Sequence, residues 1–270
     1  MKVAFIGGGN MATAILGGLI AKGVRGADIA VVEVDAASRA RLASEYDVNA
    51  LEAPGEELRN VHAIVLAVKP QHLRAAAKAL APFLSKQLVI SIAAGIRLGD
   101  LSRWLGGYAR LVRAMPNTPA LVHAGVTGLY AADGVSETER QVADKLLASV
   151  GATVWLERES DLDAVTAVSG SGPAYVFYAM EALETAAREL DLSPEKARTL
   201  ALWTFVGAAK LAIERNEDPA KLRANVTSKG GTTERALAVM EASYVKEKLV
   251  EAVKAAAARS RELGEEFGKD

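Results

Sequence analysis

Residues 1–20, MKVAFIGGGNMATAILGGLI, carry the reading on which the rest depends. Lys2 to Ile6 is a short apolar run that reads as a buried strand. Gly7-Gly8-Gly9 breaks it, and from Asn10 onward Met11, Ile15 and Leu19 recur at i, i+4 and i+8, the spacing of one helix face. Gly7, Gly9 and Ala12 fit G-x-G-x-x-(G/A), the dinucleotide-binding fingerprint. Gly7 suits the tight turn, Gly9 lets a pyrophosphate reach the backbone, and Ala12 lets helix and strand pack closely. The pyrophosphate would rest on the free N–H groups and positive dipole end of the helix. Gly17 and Gly18 fall inside that helix, where each costs about 1 kcal/mol against Ala; close packing of helix on sheet would explain both.

The pattern repeats downstream. Ile29 to Val34 reads as a second strand, with Glu33 where a carboxylate would meet the ribose hydroxyls of NAD. Ser38 to Tyr46 reads as a helix and Val48 to Leu51 as a brief strand. Val61 to Val68 is apolar almost throughout, as in a parallel sheet covered on both faces. It runs into Lys69-Pro70-Gln71, read as a ligand-facing loop at a strand's carboxyl end, followed by a helix from His72 to Leu80. Leu88 to Ala93 and Arg110 to Ala114 are further strands, with a short helix from Leu101 to Leu105 between them. The second of these strands enters Met115-Pro116-Asn117-Thr118-Pro119, where two prolines forbid regular structure. After Val126 to Ala131, Ser136 and Glu139 form a capping box that opens a helix ending at Gly151, and Thr153 to Glu157 completes the series. Regular βα alternation predicts an α/β fold with a Rossmann-type doubly wound sheet over residues 1–160.

Beyond Ser160 the strands disappear. Long helices are expected over Ser171–Leu190, Ser193–Arg215 and Tyr244–Glu266, with shorter ones near Asp218–Val226 and Thr232–Glu241. Residues 161–270 are thus expected to form an all-helical second domain. Ser193-Pro194 and Asp218-Pro219 each set a capping side chain before a proline at the first helical position. Leu202 to Ile213, LWTFVGAAKLAI, is apolar nearly all round and needs cover on every side. So short a domain has trouble providing this alone, and a homodimer through these helices is the expectation; the alternative is the central helix of a compact monomeric bundle.

The bulk properties narrow the partners. Half of the 270 residues are hydrophobic, and 32 basic against 33 acidic residues leave a formal charge of −1. That balance gives no footprint for nucleic acid. There is no cysteine, so disulfides, thiol nucleophiles and thiolate metal sites are excluded. His62, His72 and His123 lack ligand spacing, and no structural metal is expected. Neither a signal-peptide pattern nor an eighteen-residue apolar run is present, so the expectation is a cytoplasmic protein without a membrane partner.

Two glycine-rich stretches in the second half remain. Val168-Ser169-Gly170-Ser171-Gly172-Pro173-Ala174-Tyr175 reads either as a flexible linker before a helix or as a ligand-binding helix start. Ser228-Lys229-Gly230-Gly231-Thr232-Thr233 is more pointed. Its glycines allow successive N–H groups to curl into an anion-binding nest beside a helix N-terminus, and three hydroxyls crowd the same place. A small carboxylate would bind there.

Taken in order, GGGNMATAILGGL, AVKPQ, SIAAG, RAMPNTPA, VSGSGPAYVF and SKGGTT resemble the pyrroline-5-carboxylate reductases, over essentially the whole chain. The resemblance implies a nicotinamide-binding domain followed by a helical domain that interlocks with a partner subunit. It also implies an active site in a cleft at the dimer interface, in dimers or rings of five dimers. Matched residue by residue, it assigns Gly7, Gly8, Gly9, Asn10 and Met11 to the pyrophosphate loop. Ala67, Val68, Lys69 and Pro70 form the wall beside the nicotinamide ribose, and Met115, Pro116 and Asn117 the loop at the nicotinamide end. Ser228, Gly230, Gly231 and Thr232 bind the substrate carboxylate, and Thr233 meets the ring nitrogen as the catalytic hydroxyl.

The reaction so implied passes hydride from NAD(P)H to the C=N bond of 1-pyrroline-5-carboxylate, giving L-proline. No Asp, Glu or His at these motifs offers itself as a strong general acid, so orientation is expected to carry much of the rate. Glu33 favours NADH without excluding NADPH, since Ser38, Arg39 and Arg41 follow closely. Two rivals are a β-hydroxyacid-dehydrogenase type of reductase, for which Lys210 is poorly placed, and a non-catalytic nucleotide sensor.

Overall fold

The computed structural model describes residues 1–269. Its strands are β1 (Val3–Ile6), β2 (Ile29–Val32), β3 (Asn49–Leu51), β4 (Ala63–Leu66), β5 (Leu88–Ser91), β6 (Leu111–Met115), β7 (Gly125–Ala131) and β8 (Gly151–Trp155). They form one sheet in the order β3-β2-β1-β4-β5-β6-β7-β8. The first half carries helices α1 (Asn10–Ala21), α2 (Ala36–Tyr46), α3 (Pro70–Leu80), α4 (Leu98–Trp104) and α5 (Glu137–Leu147).

Why both sheet faces are covered follows from alternation along the strands. Val3 and Phe5 of β1 point to one face with Val31, Val65 and Ile90, where they meet Ile15, Leu16 and Leu19 of α1 and Leu146 and Leu147 of α5. Ala4 and Ile6 point to the other with Ile64, Leu66 and Val89, against Leu73, Ala77 and Leu80 of α3 and Leu101 and Trp104 of α4. Each large side chain so buried contributes about 1.5–3 kcal/mol. Near-continuous apolar strands are the consequence, and they were the clearest signal in the sequence.

The sheet departs from simple alternation at one point. From β3 to β6 every neighbour is parallel, but β7 runs antiparallel to β6, and β8 is parallel to β7. The connection 116–124 holds only a 3-10 turn, Thr118–Val122. A parallel return needs a crossover of a dozen or more residues, so this short link can only reverse the chain.

Of the two helix glycines, Gly18 is required: a Cβ there would lie 2.6 Å from the Ser149 carbonyl oxygen. Its close approach is to the loop before β8 rather than to a strand. At Gly17 a Cβ would only touch Tyr46, at 3.7 Å, so packing does not account for that residue.

The division of the chain differs from the one expected at residue 160. One compact unit is Met1–Ser171 together with the chain from Ala256 onward, and the other is Gly172–Ala255. Glu159 is tied to the sheet unit, since its Oε1 accepts from the Leu98 N–H at 2.7 Å and pairs with the buried Arg113 at 3.1 Å. Helix α6 (Leu162–Val165) buries Leu162, and Val165 packs over Gly128 of β7. At the other end, Phe267 packs on Gly95 and Ser260 donates to Asp163 at 2.7 Å. The stretch Val168–Gly170 is not a flexible linker. Thr166–Gly170 is a π-helical turn, closed by the Ser171 N–H on the Thr166 carbonyl at 2.8 Å.

The second unit holds α7 (Gly172–Glu189), α8 (Pro194–Arg215), α9 (Pro219–Asn225), α10 (Thr232–Ala242) and the first part of α11 (Val245–Phe267). Ser193 and Asp218 cap α8 and α9 as their sequences require. Tyr244, expected inside the last helix, has φ +55° and precedes it. Helix α8 is not covered by its own chain: Trp203 is 66% and Ile213 80% exposed, and Ala197 and Ala201 are the buried residues along it.

Candidate functional site

The first glycine turn is built as the fingerprint demands. Gly7 has φ +99°, and a Cβ there would sit 2.9 Å from the Ala67 carbonyl oxygen and from Val68. Around Gly9, by contrast, a Cβ would meet nothing within 4 Å, so the space before α1 is open. Among the described residues the N–H groups of Asn10 and Met11 find no hydrogen-bond partner; the first intrahelical bond is Thr13 N–H to the Gly9 carbonyl, at 2.9 Å. A positive-φ glycine, an open approach and unspent donors on a helix N-terminus fit a dinucleotide pyrophosphate.

Glu33 arrives beside this turn because β1 and β2 pair in parallel, Ile6 opposite Val32. Its carboxylate is already engaged: Oε2 accepts from the Gly8 N–H at 2.8 Å and Oε1 from the Asp35 N–H at 3.0 Å. A carboxylate has about four acceptor positions, so capacity remains for ribose hydroxyls. The basic residues that follow are committed elsewhere. Arg39 Nη1 donates to the carbonyls of Glu33 and Val34, both at 2.8 Å, and Arg41 pairs with Glu45 at 2.9 Å along α2. Asp35 caps α2 by accepting from the Ser38 N–H, which holds its carboxyl below the usual aspartate range.

The wall from Ala67 to Pro70 follows β4 directly. Pro70 and Gln71 are already the first residues of α3, with Lys69 as its cap, so the expected loop is shorter than its sequence suggested. Proline needs no N–H partner at that position, which is why a helix starts there instead of breaking. Across the sheet, Asn117 is buried and both ends of its amide are used. Oδ1 accepts from the Val126 N–H at 2.9 Å, and Nδ2 donates to the Ser169 carbonyl at 3.1 Å. Asn117 therefore fixes the loop Met115–Asn117 to β7 and to the π-helical turn, rather than offering its side chain to a ligand.

In the second unit, Ser228–Gly231 is a tight turn, closed by the Gly231 N–H on the Ser228 carbonyl at 3.0 Å, with Gly230 at φ +75°. Helix α10 begins at once with Thr232 and Thr233. The hydroxyls of Ser228, Thr232 and Thr233, and the N–H groups of Thr232 and Thr233, have no partner among the described residues. Three hydroxyls and two N–H groups, five possible donors, thus stand at the positive end of a helix. A residue missing from the sequence reading also takes part. Glu234 Oε2 accepts from the Gly230 N–H at 2.7 Å. A partial signal was available: Glu234 stands three residues after the cap Gly231, where a capping-box Glu reaches back, although here it meets the Gly230 N–H rather than that of the cap. Glu234 directly follows Thr233, and its carboxylate is engaged by the Gly230 N–H.

The three histidines are not among these motifs, and Lys210 is exposed on α8, 3.8 Å from Glu214. Nothing gathers around it that a catalytic lysine would need.

Comparison with known proteins gives these turns a context. Residues 159–263 match the family model for pyrroline-5-carboxylate reductase dimerisation, and residues 2–95 that described as NADP oxidoreductase, coenzyme F420-dependent. The pyrroline-5-carboxylate reductase of Pseudomonas aeruginosa is 45% identical over 99% of this chain and 98% of its own. The chain belongs to the pyrroline-5-carboxylate reductase family. Among solved structures, the pyrroline-5-carboxylate reductase of Coxiella burnetii superposes with a TM-score of 0.93 at 39% identity, covering 97% of this chain and 98% of that one. The Plasmodium falciparum enzyme with NADP bound gives 0.85 at 29% identity, covering 98% of each. Members of the family are NAD(P)H-dependent oxidoreductases of the proline biosynthetic route. The dimerisation match coincides with the helices whose apolar faces stand exposed, and together these support a homodimer. Among the described residues, no helix is long and apolar enough to cross a membrane.

Proposed function

We propose that this chain reduces 1-pyrroline-5-carboxylate to L-proline with NADH as the preferred donor, as a cytoplasmic homodimer. The observation that carries the reading is the hydroxyl- and N–H-rich turn Ser228–Thr233 at a helix N-terminus, in a chain that also holds a dinucleotide-type glycine turn. In this reading Gly7, Gly8, Gly9, Asn10 and Met11 hold the pyrophosphate and Glu33 the adenosine ribose. Ala67, Val68, Lys69 and Pro70 flank the nicotinamide ribose, and Met115, Pro116 and Asn117 border the nicotinamide. The nicotinamide, when bound, supplies the hydride.

The protein's own residues orient the acceptor. Ser228, Gly231, Thr232 and the α10 N-terminus take the substrate carboxylate, which presents the ring to Thr233. As hydride reaches C5, the C=N bond becomes CH–NH and the nitrogen must gain a proton. The unpartnered Thr233 hydroxyl donates to that nitrogen or relays a proton from water, stabilising the charge that changes there. The turn also explains why a purely nucleotide-sensing role is less apt: a sensor has no use for a second anion site.

Purified enzyme supplied with pyrroline-5-carboxylate should oxidise NADH and yield proline. Absence of proline would overturn the assignment. Sedimentation of the same sample at micromolar concentration should show dimers or a ring of dimers and no monomer.

A further inference from the structure

We propose that Glu234 is a positioning residue that selects the working shape of the substrate turn; this rests on reading Ser228–Thr233 as the carboxylate site. Turns closed between the first and fourth residues come in two common forms, related by a flip of the central peptide. Here that peptide joins Lys229 to Gly230, and Gly230 at φ +75° adopts the form with a positive third-position φ. Glycine tolerates either form, so Gly230 permits the observed shape without choosing it. A Cβ at Gly230 would meet nothing within 4 Å, so steric packing does not choose it either.

The choice is made by Glu234. Side chains in a helix lean toward its N-terminus, and from the first turn of α10 this carboxylate reaches back to the Gly230 N–H, at 2.7 Å. The bond exists only while the central peptide keeps its present face. It also withdraws the Gly230 N–H from the pool of donors. From Gly230 to Thr233, the N–H groups left free among the described residues are those of Thr232 and Thr233, so an incoming carboxylate is directed to the helix end, next to the Thr233 hydroxyl. Glu234 thereby sets where the substrate sits relative to the group that serves its nitrogen. Being exposed, it can be replaced without disturbing a core.

The test is steady-state kinetics of the full-length dimer with Glu234→Ala and Glu234→Gln, on pyrroline-5-carboxylate and on 1-pyrroline, the same ring without the carboxylate. Glu234→Ala should raise KM for pyrroline-5-carboxylate about tenfold, change kcat less, and leave 1-pyrroline kinetics unmoved. Glu234→Gln keeps a carbonyl that can accept from Gly230 and should recover most of the loss. A lower KM in both variants would mean that Glu234 merely competes with substrate, and would overturn the proposal. Unchanged KM in both would do so too. If the wild-type enzyme reduces 1-pyrroline as efficiently as pyrroline-5-carboxylate, the carboxylate turn itself is misassigned and this proposal fails with it. A strong wild-type preference with unmoved variants sinks the role of Glu234 alone.

Discussion

The two glycine turns of this chain solve one problem in opposite ways. Each opens onto a helix N-terminus, and each lends a glycine N–H to a carboxylate: Gly8 to Glu33 at 2.8 Å, Gly230 to Glu234 at 2.7 Å. In the first turn the carboxylate comes from the residue just past a neighbouring strand, delivered by the pairing of β1 with β2. In the second it comes from the first turn of the helix that follows, and lies exposed. The first turn is therefore held by the core of the sheet, the second only by itself. Changes in the first should cost folding as well as binding, while changes in the second should cost function and leave folding alone.

The largest effect expected is on turnover. Thr233→Ala removes a hydroxyl asked to act only as the nitrogen changes charge, a contact typically worth on the order of 2–4 kcal/mol. That corresponds to roughly thirty- to a thousandfold in kcat. Cofactor affinity and thermal midpoint should stay at their wild-type values, since the Thr233 hydroxyl has no partner among the described residues. A kcat within about threefold of wild type would remove Thr233 from the chemistry. A large fall in thermal midpoint would show that the second turn is as structural as the first.

The contrast in stability is sharpened by paired glycine substitutions. Gly7→Ala meets strain at φ +99° and a backbone oxygen at 2.9 Å, so it should cost about 2–4 kcal/mol by denaturant titration. Gly230→Ala meets only an unfavourable φ of +75° in open space, and about 1 kcal/mol is expected. Equal losses at the two positions would break the comparison.

What could be read in advance follows the same division between local and long-range causes. The strands, the capping box at Ser136 and Glu139 and the capped prolines at 194 and 219 are local signals, and the structure forms each of them. The direction of β7 is not encoded in its own residues; it depends on the short proline-rich link before it. The π-helical turn at Thr166–Gly170 reads as a linker because glycine and serine are poor helix formers. Tertiary partners hold it, among them Asn117 on the Ser169 carbonyl. The return of the chain after Ala256 to the sheet unit has no sequence marker, since α11 runs unbroken through the boundary. At the site, the glycines and hydroxyls announce themselves by composition. The commitment of the Arg39 and Asn117 side chains to backbone groups required three dimensions.

The smallest effect concerns the nicotinamide cofactor, and it tests whether Glu33 serves a ligand besides serving Gly8. A 2′-phosphate beside the Glu33 carboxylate would bring unit charges within about 5 Å, a repulsion of roughly 3 kcal/mol at an effective dielectric near 20. Solvent screening should reduce this to about 1–2 kcal/mol, or five- to thirtyfold in affinity. Arg39 offers little compensation, because its Nη1 is bonded to the Glu33 and Val34 carbonyls. The ratio of kcat/KM for NADH to that for NADPH should therefore exceed one. Glu33→Gln keeps an acceptor for a backbone N–H and removes the charge, so any loss of loop order affects both cofactors alike and cancels in the ratio. The ratio should fall five- to thirtyfold in that variant. A further change of Val34 to Arg, at a position 83% exposed, should carry it toward NADPH. If the wild-type enzyme instead prefers NADPH by tenfold or more, Glu33 is a clasp for the glycine turn and nothing else. The two glycine turns would then differ only in where their carboxylate comes from.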